Sequence, residues 1–264
     1  MGCEMLQLEV SPNVVAVGAS LLVCAILTGR FWRLYSQDAA VFSSNDLVLF
    51  VVAHPDDECM FFGPTVISAV RDAGARSVHL LCLSTGNYYG QGAQRRTELV
   101  ASCSQLGIPV DNVSILDSPE LQDGADWSAQ AVAQHLKTPL ANHRFTKLVT
   151  FDAHGVSGHT NHVSAYHGVR WLEESGDLPA QLEVFSLESV NLVAKYTGLL
   201  TCFLAEHPES IIITSDVSGW VKSVRAMLRH GSQLLWFRYL FVAFSRYMWR
   251  NTLTRLQPTH HEAG

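Results

Sequence analysis

Short apolar runs rich in β-branched residues recur along the chain, and they predict strands buried on both faces of a sheet. The runs are residues 47–52, 77–83, 113–116, 147–151 and 183–190. Segments of mixed polarity between the runs predict helices. These segments are residues 61–73, 97–106, 127–136 and 162–173. Strands that alternate with helices indicate an α/β fold, with a mostly parallel sheet flanked by helices.

One apolar segment near the N-terminus is longer than any predicted strand. Residues 10–29 contain no charged residue and no histidine, and a helix of about 20 residues spans about 30 Å, the thickness of a bilayer's hydrocarbon core. Arg30 and Arg33 follow it, and basic flanks tend to stay in the cytosol. The pattern predicts a transmembrane anchor with the rest of the chain in the cytosol. A cleaved signal peptide and a buried soluble helix stay open as alternatives.

The C-terminal part is rich in aromatic residues and arginines. Arg238, Arg246 and Arg250 fall within about 120° of a helical circumference, which is typical of a helix lying on a membrane interface. A helix packed on the sheet with its arginines outward is the alternative. The predicted organisation is an N-terminal tail at 1–9, a transmembrane anchor at 10–29, a linker at 30–45, a catalytic domain at 46–230, the aromatic-rich C-terminal helix at 231–252 and a disordered tail at 253–264.

Composition narrows the class of protein. The 264 residues are 48% hydrophobic and only 16% charged, so the chain is not disordered. The net charge of −6 argues against a general nucleic-acid binder. The six cysteines are dispersed and form no Cys-x-x-Cys pair, which favours reduced thiols on the cytosolic side.

Side chains able to hold a metal follow two of the predicted strands. His54, Asp56 and Asp57 come directly after the first strand, and His159 and His162 follow the fourth. Open parallel sheets bind ligands at the carboxyl ends of their strands, and a histidine–carboxylate set of three is typical of catalytic zinc. Two adjacent carboxylates repel each other unless a cation lies between them. We therefore expect one of Asp56 and Asp57 to bind the metal and the other to act as a base. The structural alternative for the first motif is the acidic first turn of a helix. The alternative for the second is a Gly-rich loop with solvated histidines.

The same motifs resemble the signature pair of the PIG-L/LmbE-like zinc de-N-acetylases. The likeness spans residues 46–250 and is carried by the stretches 51–62, 84–89, 158–162, 232–238 and 244–248. It implies a Rossmann-like α/β fold. It implies Zn²⁺, or another divalent metal, held by His54, Asp57 and His162. It also implies that Asp56 is the general base and that His159 polarises the acetyl carbonyl.

Two further positions gain a meaning from the resemblance. Arg95 lies in a Gly-rich turn followed by Arg-x-x-Glu, and the family implies that it binds substrate hydroxyls or phosphate. A surface ion pair on a helix is the alternative for Arg95. His154 stands where a small residue is expected, and it is either a bystander or an additional donor at the rim.

The activity that the resemblance implies is zinc-dependent hydrolysis of the acetamide of N-acetylglucosaminyl-phosphatidylinositol. The products are glucosaminyl-phosphatidylinositol and acetate, at an early step of GPI-anchor biosynthesis. The partners are then the glycosylated phosphatidylinositol and the membrane of the endoplasmic reticulum, with the catalytic domain facing the cytosol and no nucleic acid. A deacetylase of a soluble N-acetylglucosamine conjugate is the alternative. A nucleotide-binding protein predicts Gly-x-Gly-x-x-Gly after the first strand, where this chain has His-Pro-Asp-Asp.

Overall fold

The computed structural model describes residues 41–197 and 210–257. The predicted N-terminal tail, the transmembrane anchor, most of the linker and the last residues of the predicted disordered tail lie outside these ranges. Every helix within the described residues is too short or too polar to serve as a membrane span.

A seven-stranded sheet forms the centre of the described residues, in the order β3-β2-β1-β4-β5-β7-β6. The strands are β1 Val48–Val52, β2 Val78–Cys82, β3 Val113–Ile115, β4 Lys147–Phe151, β5 Glu183–Leu187, β6 Ile211–Thr214 and β7 Arg250–Arg255. Strands β1 to β5 are parallel, with Val48 opposite both Val78 and Lys147. Strand β7 is antiparallel to both of its neighbours.

Helices connect these strands, as the alternating pattern predicts. They are α1 Asp57–Met60, α2 Gly63–Asp72, α3 Gly92–Leu106, α4 Ala129–Asn142, α5 Gly155–Gly158, α6 Thr160–Glu174, α7 Leu192–Tyr196, α8 Val217–Met227 and α9 Trp236–Phe244. All five residues of β1 and all five of β4 are buried, because these central strands are covered on both faces. The prediction of a mixed α/β sheet flanked by helices is confirmed.

The α4–α6 contact is unusually close. Gly168 on α6 faces Val132 on α4, and a β-carbon at position 168 would overlap the Val132 side chain. Glycine in the middle of a helix costs roughly 1 kcal/mol relative to alanine. The close approach of the two helices offsets this cost by burying both apolar faces.

The predicted single helix over 231–252 is wrong. Helix α9 ends at Phe244, Ser245 is extended, and β7 begins at Arg250. The side chain of Asn251 explains part of the difference, since it accepts a hydrogen bond from the backbone N–H of Thr65 (3.2 Å) and donates one to the carbonyl of Phe61 (2.7 Å).

The predicted domain boundary at residue 230 is also wrong. Strand β7 lies between β5 and β6, so the domain continues at least to Arg255. Residues 253–255, which the sequence predicts to be part of a disordered tail, therefore belong to the sheet.

Candidate active site

The candidate site lies where the strand order reverses, between the carboxyl ends of β1 and β4. Parallel strands on either side of such a point leave a crevice between their connections, where open sheets bind ligands. A pocket of about 280 Å³ occupies this position. Its walls include all six predicted site residues, His54, Asp56, Asp57, Arg95, His159 and His162, together with Met60, Phe61, Asp123, Lys195, Tyr196, Gln233, Phe237, Arg238 and Phe241.

Asp57 is held in one orientation by the turn after β1. Its Oδ2 accepts hydrogen bonds from the backbone N–H groups of Ala53 (3.0 Å) and His54 (2.8 Å). Its Oδ1 lies 3.2 Å from Nε2 of His162. Burial alone raises the pKa of Asp57, but His162 and His54 outweigh it and hold the pKa well below the usual range. Asp57 is therefore an ionised, fixed carboxylate.

His162 is oriented just as firmly. Its Nδ1 lies 3.1 Å from the carbonyl oxygen of Gly155, so that nitrogen donates the hydrogen and Nε2 is left as the free ligand atom. Its ring stacks on Phe151 at 4.0 Å, with 2° between the planes. The loop that makes this possible is strained, because Val156 adopts a φ of 65°, which is rare for a β-branched residue.

Two more imidazoles complete the cluster. The ring of His54 lies 4.8 Å from that of His159 and 5.5 Å from that of His162. Burial, followed by the two neighbouring imidazoles, lowers the pKa of His159 to about 4. His159 is therefore neutral at physiological pH and still exposed at the mouth of the site.

The donor set fits a divalent metal. Ligand atoms of His54, His159 and His162 lie within 4.8 Å of one another, and Asp57 contacts the same group. The Nε2 atom of His54 is buried without a hydrogen bond, since Asp123 Oδ1 lies 3.3 Å away but outside hydrogen-bonding geometry. A buried nitrogen that has no hydrogen bond and faces a carboxylate is the arrangement expected where both groups bind one cation. Imidazole and carboxylate ligands are typical of zinc.

Asp56 has a different environment from that of Asp57. Its backbone is strained at φ 118°, and its N–H donates to Glu58 Oε2 at 3.0 Å. Its carboxylate accepts a hydrogen bond from Arg238 at 2.9 Å and lies 3.5 Å from Arg95. Burial raises the pKa of Asp56 above its ordinary value, although the two arginines oppose this. A buried carboxylate beside the metal ligands, with a raised pKa, is suited to accept a proton.

Arg95 lies inside the pocket wall, so the alternative of a surface ion pair is wrong. Its guanidinium donates to the carbonyl oxygens of Gly86 (2.9 Å) and Pro55 (2.6 Å), and it lies 3.6 Å from Asp123. Gly86 is required here, because its φ is 67° and a β-carbon would overlap the guanidinium. Arg95 thus braces the His54 turn, and its predicted contact with substrate remains a prediction.

His154 is not part of the pocket. It is exposed at the start of α5, and its backbone N–H donates to Asp152 Oδ1 at 3.0 Å. The bystander interpretation of this position fits the structure better than a donor at the rim.

Sequence reasoning missed three charged residues of the pocket. Asp123 follows β3, Lys195 lies on α7 and Arg238 lies on α9. The available signal for Asp123 is its place beyond the third strand. Arg238 lies in a stretch that resembles the family, but the pattern of arginines around it points to a membrane surface instead.

A second buried group of potential ligands consists of Glu58, Cys59 and His230. Glu58 already accepts hydrogen bonds from His230 (2.7 Å), Ser102 and the Asp56 N–H. Cys59 donates to the Asp56 carbonyl at 3.3 Å. The carboxylate of Glu58, the thiol of Cys59 and Nε2 of His230 therefore all have protein partners, whereas Nδ1 of His230 is buried without a hydrogen bond to any described residue.

The fold and the site together define a deacetylase of the LmbE-like type. A family profile described as "PIG-L: GlcNAc-PI de-N-acetylase" matches residues 49–172, and the chain belongs to this family. The N-acetylglucosaminyl-phosphatidylinositol de-N-acetylase of Bos taurus is 39% identical over 256 residues, covering 94% of this chain and 100% of the relative. The protein of the same name from Saccharomyces cerevisiae is 31% identical over 240 residues, covering 76% and 78% of the two chains.

Solved structures support the fold. The A40926 pseudoaglycone deacetylase Dbv21 matches with a TM-score of 0.57 and 15% identity, over 81% of this chain and 98% of its own. The N,N'-diacetylchitobiose deacetylase of Pyrococcus horikoshii matches with a TM-score of 0.58 and 15% identity, over 81% and 85%. The 4-carboxy-2-hydroxymuconate hydratase GalB also matches, with a TM-score of 0.55 and 15% identity, over 80% and 96%. Because one of these enzymes is a hydratase, the fold alone does not fix the reaction.

Proposed function

We propose that this protein hydrolyses the acetamide of N-acetylglucosaminyl-phosphatidylinositol to acetate and glucosaminyl-phosphatidylinositol, an early step of GPI-anchor biosynthesis. The observation that carries the proposal is the pairing of Asp56, a buried carboxylate with a raised pKa, with a cluster of imidazoles and the ionised Asp57. Similarity to the named de-N-acetylases supports the substrate.

In the proposed enzyme, His54, Asp57 and His162 hold a zinc ion. When bound, zinc polarises a carbonyl and makes hydroxide available at neutral pH by lowering the pKa of water from 15.7 to about 7. The teicoplanin deacetylase Orf2, a structural neighbour of similar fold, has been crystallised in a zinc-inhibited form. The donor set of the present chain is compatible with the same metal.

The chain's own residues account for the proton transfers. The Asp56 carboxylate takes the proton of the attacking water, and Arg238 and the turn after β1 keep that carboxylate in place. Neutral His159 donates a hydrogen bond to the acetyl oxygen as negative charge develops there, an effect worth about 3–4 kcal/mol for one well-aimed donor. Asp56 then returns its proton to the departing amine, so that water and amide become acetate and amine.

The surface around the pocket supports a lipid-borne substrate over the soluble conjugate. Helices α7 and α9 form one wall of the pocket and also expose large apolar side chains. Val193 is 74% exposed, Trp236 75% and Tyr239 55%. Neither helix carries an acidic residue. Apolar and aromatic side chains with a few basic ones suit a membrane interface.

The proposed location follows from this surface together with the predicted anchor. The catalytic domain faces the cytosol at the membrane of the endoplasmic reticulum, with α7 and α9 against the lipid. The three described cysteines are free and buried, which is compatible with a reducing compartment.

The test is an assay of the full-length protein, purified in detergent and supplied with N-acetylglucosaminyl-phosphatidylinositol in mixed micelles. We expect acetate release that is abolished by a chelator and restored by Zn²⁺. Diacetylchitobiose, a soluble substrate, is expected to be cleaved far more slowly. Equal turnover of the soluble compound, or turnover that is indifferent to the chelator, would contradict the proposal.

A further inference from the structure

A buried lysine without a carboxylate partner lies in the wall of the pocket. Lys195 on α7 is only 8% exposed. Its Nζ lies 5.9 Å from the ring centre of Phe61, 5.7 Å from that of Phe241 and 5.8 Å from that of Tyr196. Among the described residues, no acidic side chain lies within ion-pairing distance of it, and its Nζ makes no hydrogen bond.

Such an arrangement is costly unless something compensates for it. An ammonium group taken out of water needs a counter-charge or hydrogen bonds. Burial, followed by repulsion from Arg238, lowers the pKa of Lys195. The three aromatic rings offer part of the compensation, since ring faces attract cations. They do not use the three N–H donors of the group, which remain available to a ligand in the pocket.

The charges of the pocket are separated into two regions. One region contains Asp56, Asp57 and the imidazoles, with Arg95 and Asp123 beside them. The other contains Lys195 and Arg238, and Arg238 is already engaged by Asp56 at 2.9 Å. In the part of the chain that the structure describes, Arg238 has only its Nε without a partner, whereas Lys195 makes no hydrogen bond with any of its three donors. The wall also carries the apolar helices α7 and α9, so an anion that reaches Lys195 comes from the side where we place the lipid.

We infer that Lys195 binds a phosphodiester, namely the one that joins the inositol of the substrate to its glycerol. This inference rests on the proposed function, and it adds a substrate-binding residue outside the segment matched by the family profile. One molecule then bridges the two regions of the pocket, with its acetamide at the imidazole cluster and its phosphodiester at Lys195. The phosphate of a neighbouring membrane lipid offers the same chemistry, and the experiment separates these two sources.

The experiment uses the full-length protein and three variants. Lys195→Met keeps the length of the side chain and removes its charge, and Lys195→Arg restores a charge. Lys222→Met, at an exposed position of α8, is the matched control. Two soluble compounds compete with the glycolipid, and the readout is the labelled acetate released from glycolipid that carries a radiolabelled acetyl group. One is N-acetylglucosaminyl-inositol phosphoglycerol, which keeps the phosphodiester but lacks acyl chains, and the other is N-acetylglucosaminyl-inositol.

For Lys195→Met, we expect the KM for the glycolipid and the inhibition constant of the phosphodiester compound each to rise at least tenfold. The inhibition constant of the phosphate-free compound should change less than twofold, which also reports that the variant is folded. Lys195→Arg should recover most of the affinity, and Lys222→Met should behave as wild type.

Three results would overturn the inference while leaving the proposed function standing. Equal weakening of both soluble compounds would mean that Lys195 only supports the pocket wall. A loss confined to the glycolipid would assign Lys195 to the lipid surface. Equal competition by the two compounds in the wild type would mean that the phosphate is not recognised. A wild-type protein that releases no acetate from the glycolipid would refute the proposed function itself, and the inference would fall with it.

Discussion

His230 and Glu58 form a hydrogen-bonded pair in which both side chains are fully buried, with Nε2 of His230 2.7 Å from Oε1 of Glu58. The second carboxylate oxygen of Glu58 accepts the backbone N–H of Asp56 at 3.0 Å. His230, from the segment after α8, thus fixes the carboxylate that holds the strained turn of Asp56. Asp56 in turn depends on a residue 174 positions further along the chain.

Replacing His230 by alanine should therefore destabilise the protein. Burial alone lowers the pKa of His230, but Glu58 outweighs it and raises the pKa above its usual value, which favours the charged form of the histidine. Removing the histidine leaves a buried charge without a partner, which costs about 3–5 kcal/mol. Urea unfolding of the detergent-solubilised protein measures the loss. His167→Ala, at an exposed site on α6, is the control, and equal stability of the two variants would contradict a buried ion pair.

Asp56→Asn should remove the base without removing the metal. General-base catalysis is worth about 10²–10⁴-fold, so we expect kcat to fall by at least about 100-fold while bound zinc is unchanged. Acetate release and elemental analysis of the purified variant check both parts. Asp111→Asn, at an exposed position, should leave both quantities at wild-type values. Turnover near that of the wild type would show that another group takes the proton.

His162→Ala should lose metal and activity together. His162 contacts Asp57 at 3.2 Å and is held by Gly155 and Phe151, so its Nε2 is fixed in the ligand cluster. Zinc titration of the apoprotein should show affinity reduced by at least about 10-fold, the lower bound typical of lost support around a metal. His154→Ala, outside the pocket, should titrate as wild type. An unchanged affinity in His162→Ala would remove His162 from the ligand set.

Trp236 should lie in lipid when the full-length protein is reconstituted in vesicles. It is 75% exposed on α9, and aromatic side chains favour the membrane interface. Brominated phosphatidylcholine should quench part of the tryptophan fluorescence, and Trp236→Phe should reduce that part. Trp171→Phe, at a partly exposed position on α6, should leave the quenching unchanged. If Trp236→Phe also leaves it unchanged, α9 does not contact the bilayer.

Gly168→Ala should destabilise the α4–α6 contact, since the added methyl group would overlap Val132. Overpacking costs about 1–3 kcal/mol, against which the better helix propensity of alanine returns up to about 1 kcal/mol. Thermal denaturation should show a lower Tm. In a Val132→Ala background, the overlap is relieved, so adding Gly168→Ala should lower the Tm by less than it does in the wild type. Additive losses would indicate that the two side chains are not in contact.

The parallel half of the sheet could be predicted from sequence because its strands are buried on both faces. Each of the five predicted strands appears within a few residues of its expected bounds. Strand β7 could not be predicted from the apolar pattern, because its sequence, Arg-Asn-Thr-Leu-Thr-Arg, is polar. It is recognisable only from its partners, since Asn251 bonds with Thr65 and Phe61 far away in the chain.

The metal cluster could be predicted for a similar reason. His54 and His162 follow strands that the pattern already places side by side. Asp123 also follows a predicted strand, but six residues outside any α-helix or strand separate it from Leu116. Such a segment has no periodic pattern, so its path could not be predicted. Arg238 and His230 act through contacts with Asp56 and Glu58 that only the tertiary structure supplies.

Strand β6 pairs only with β7 among the described residues, and β7 comes about 40 positions later in the chain. During synthesis, strands β1 to β5 can therefore assemble before β7 is made, and until then β6 is a strand without a pairing partner. Exposed edges of this kind favour aggregation and chaperone capture. A nonsense mutation shortly before Arg250 would leave β6 with no neighbour to pair with, although every metal ligand would already have been translated. Such a product should fail in cellular quality control rather than in chemistry.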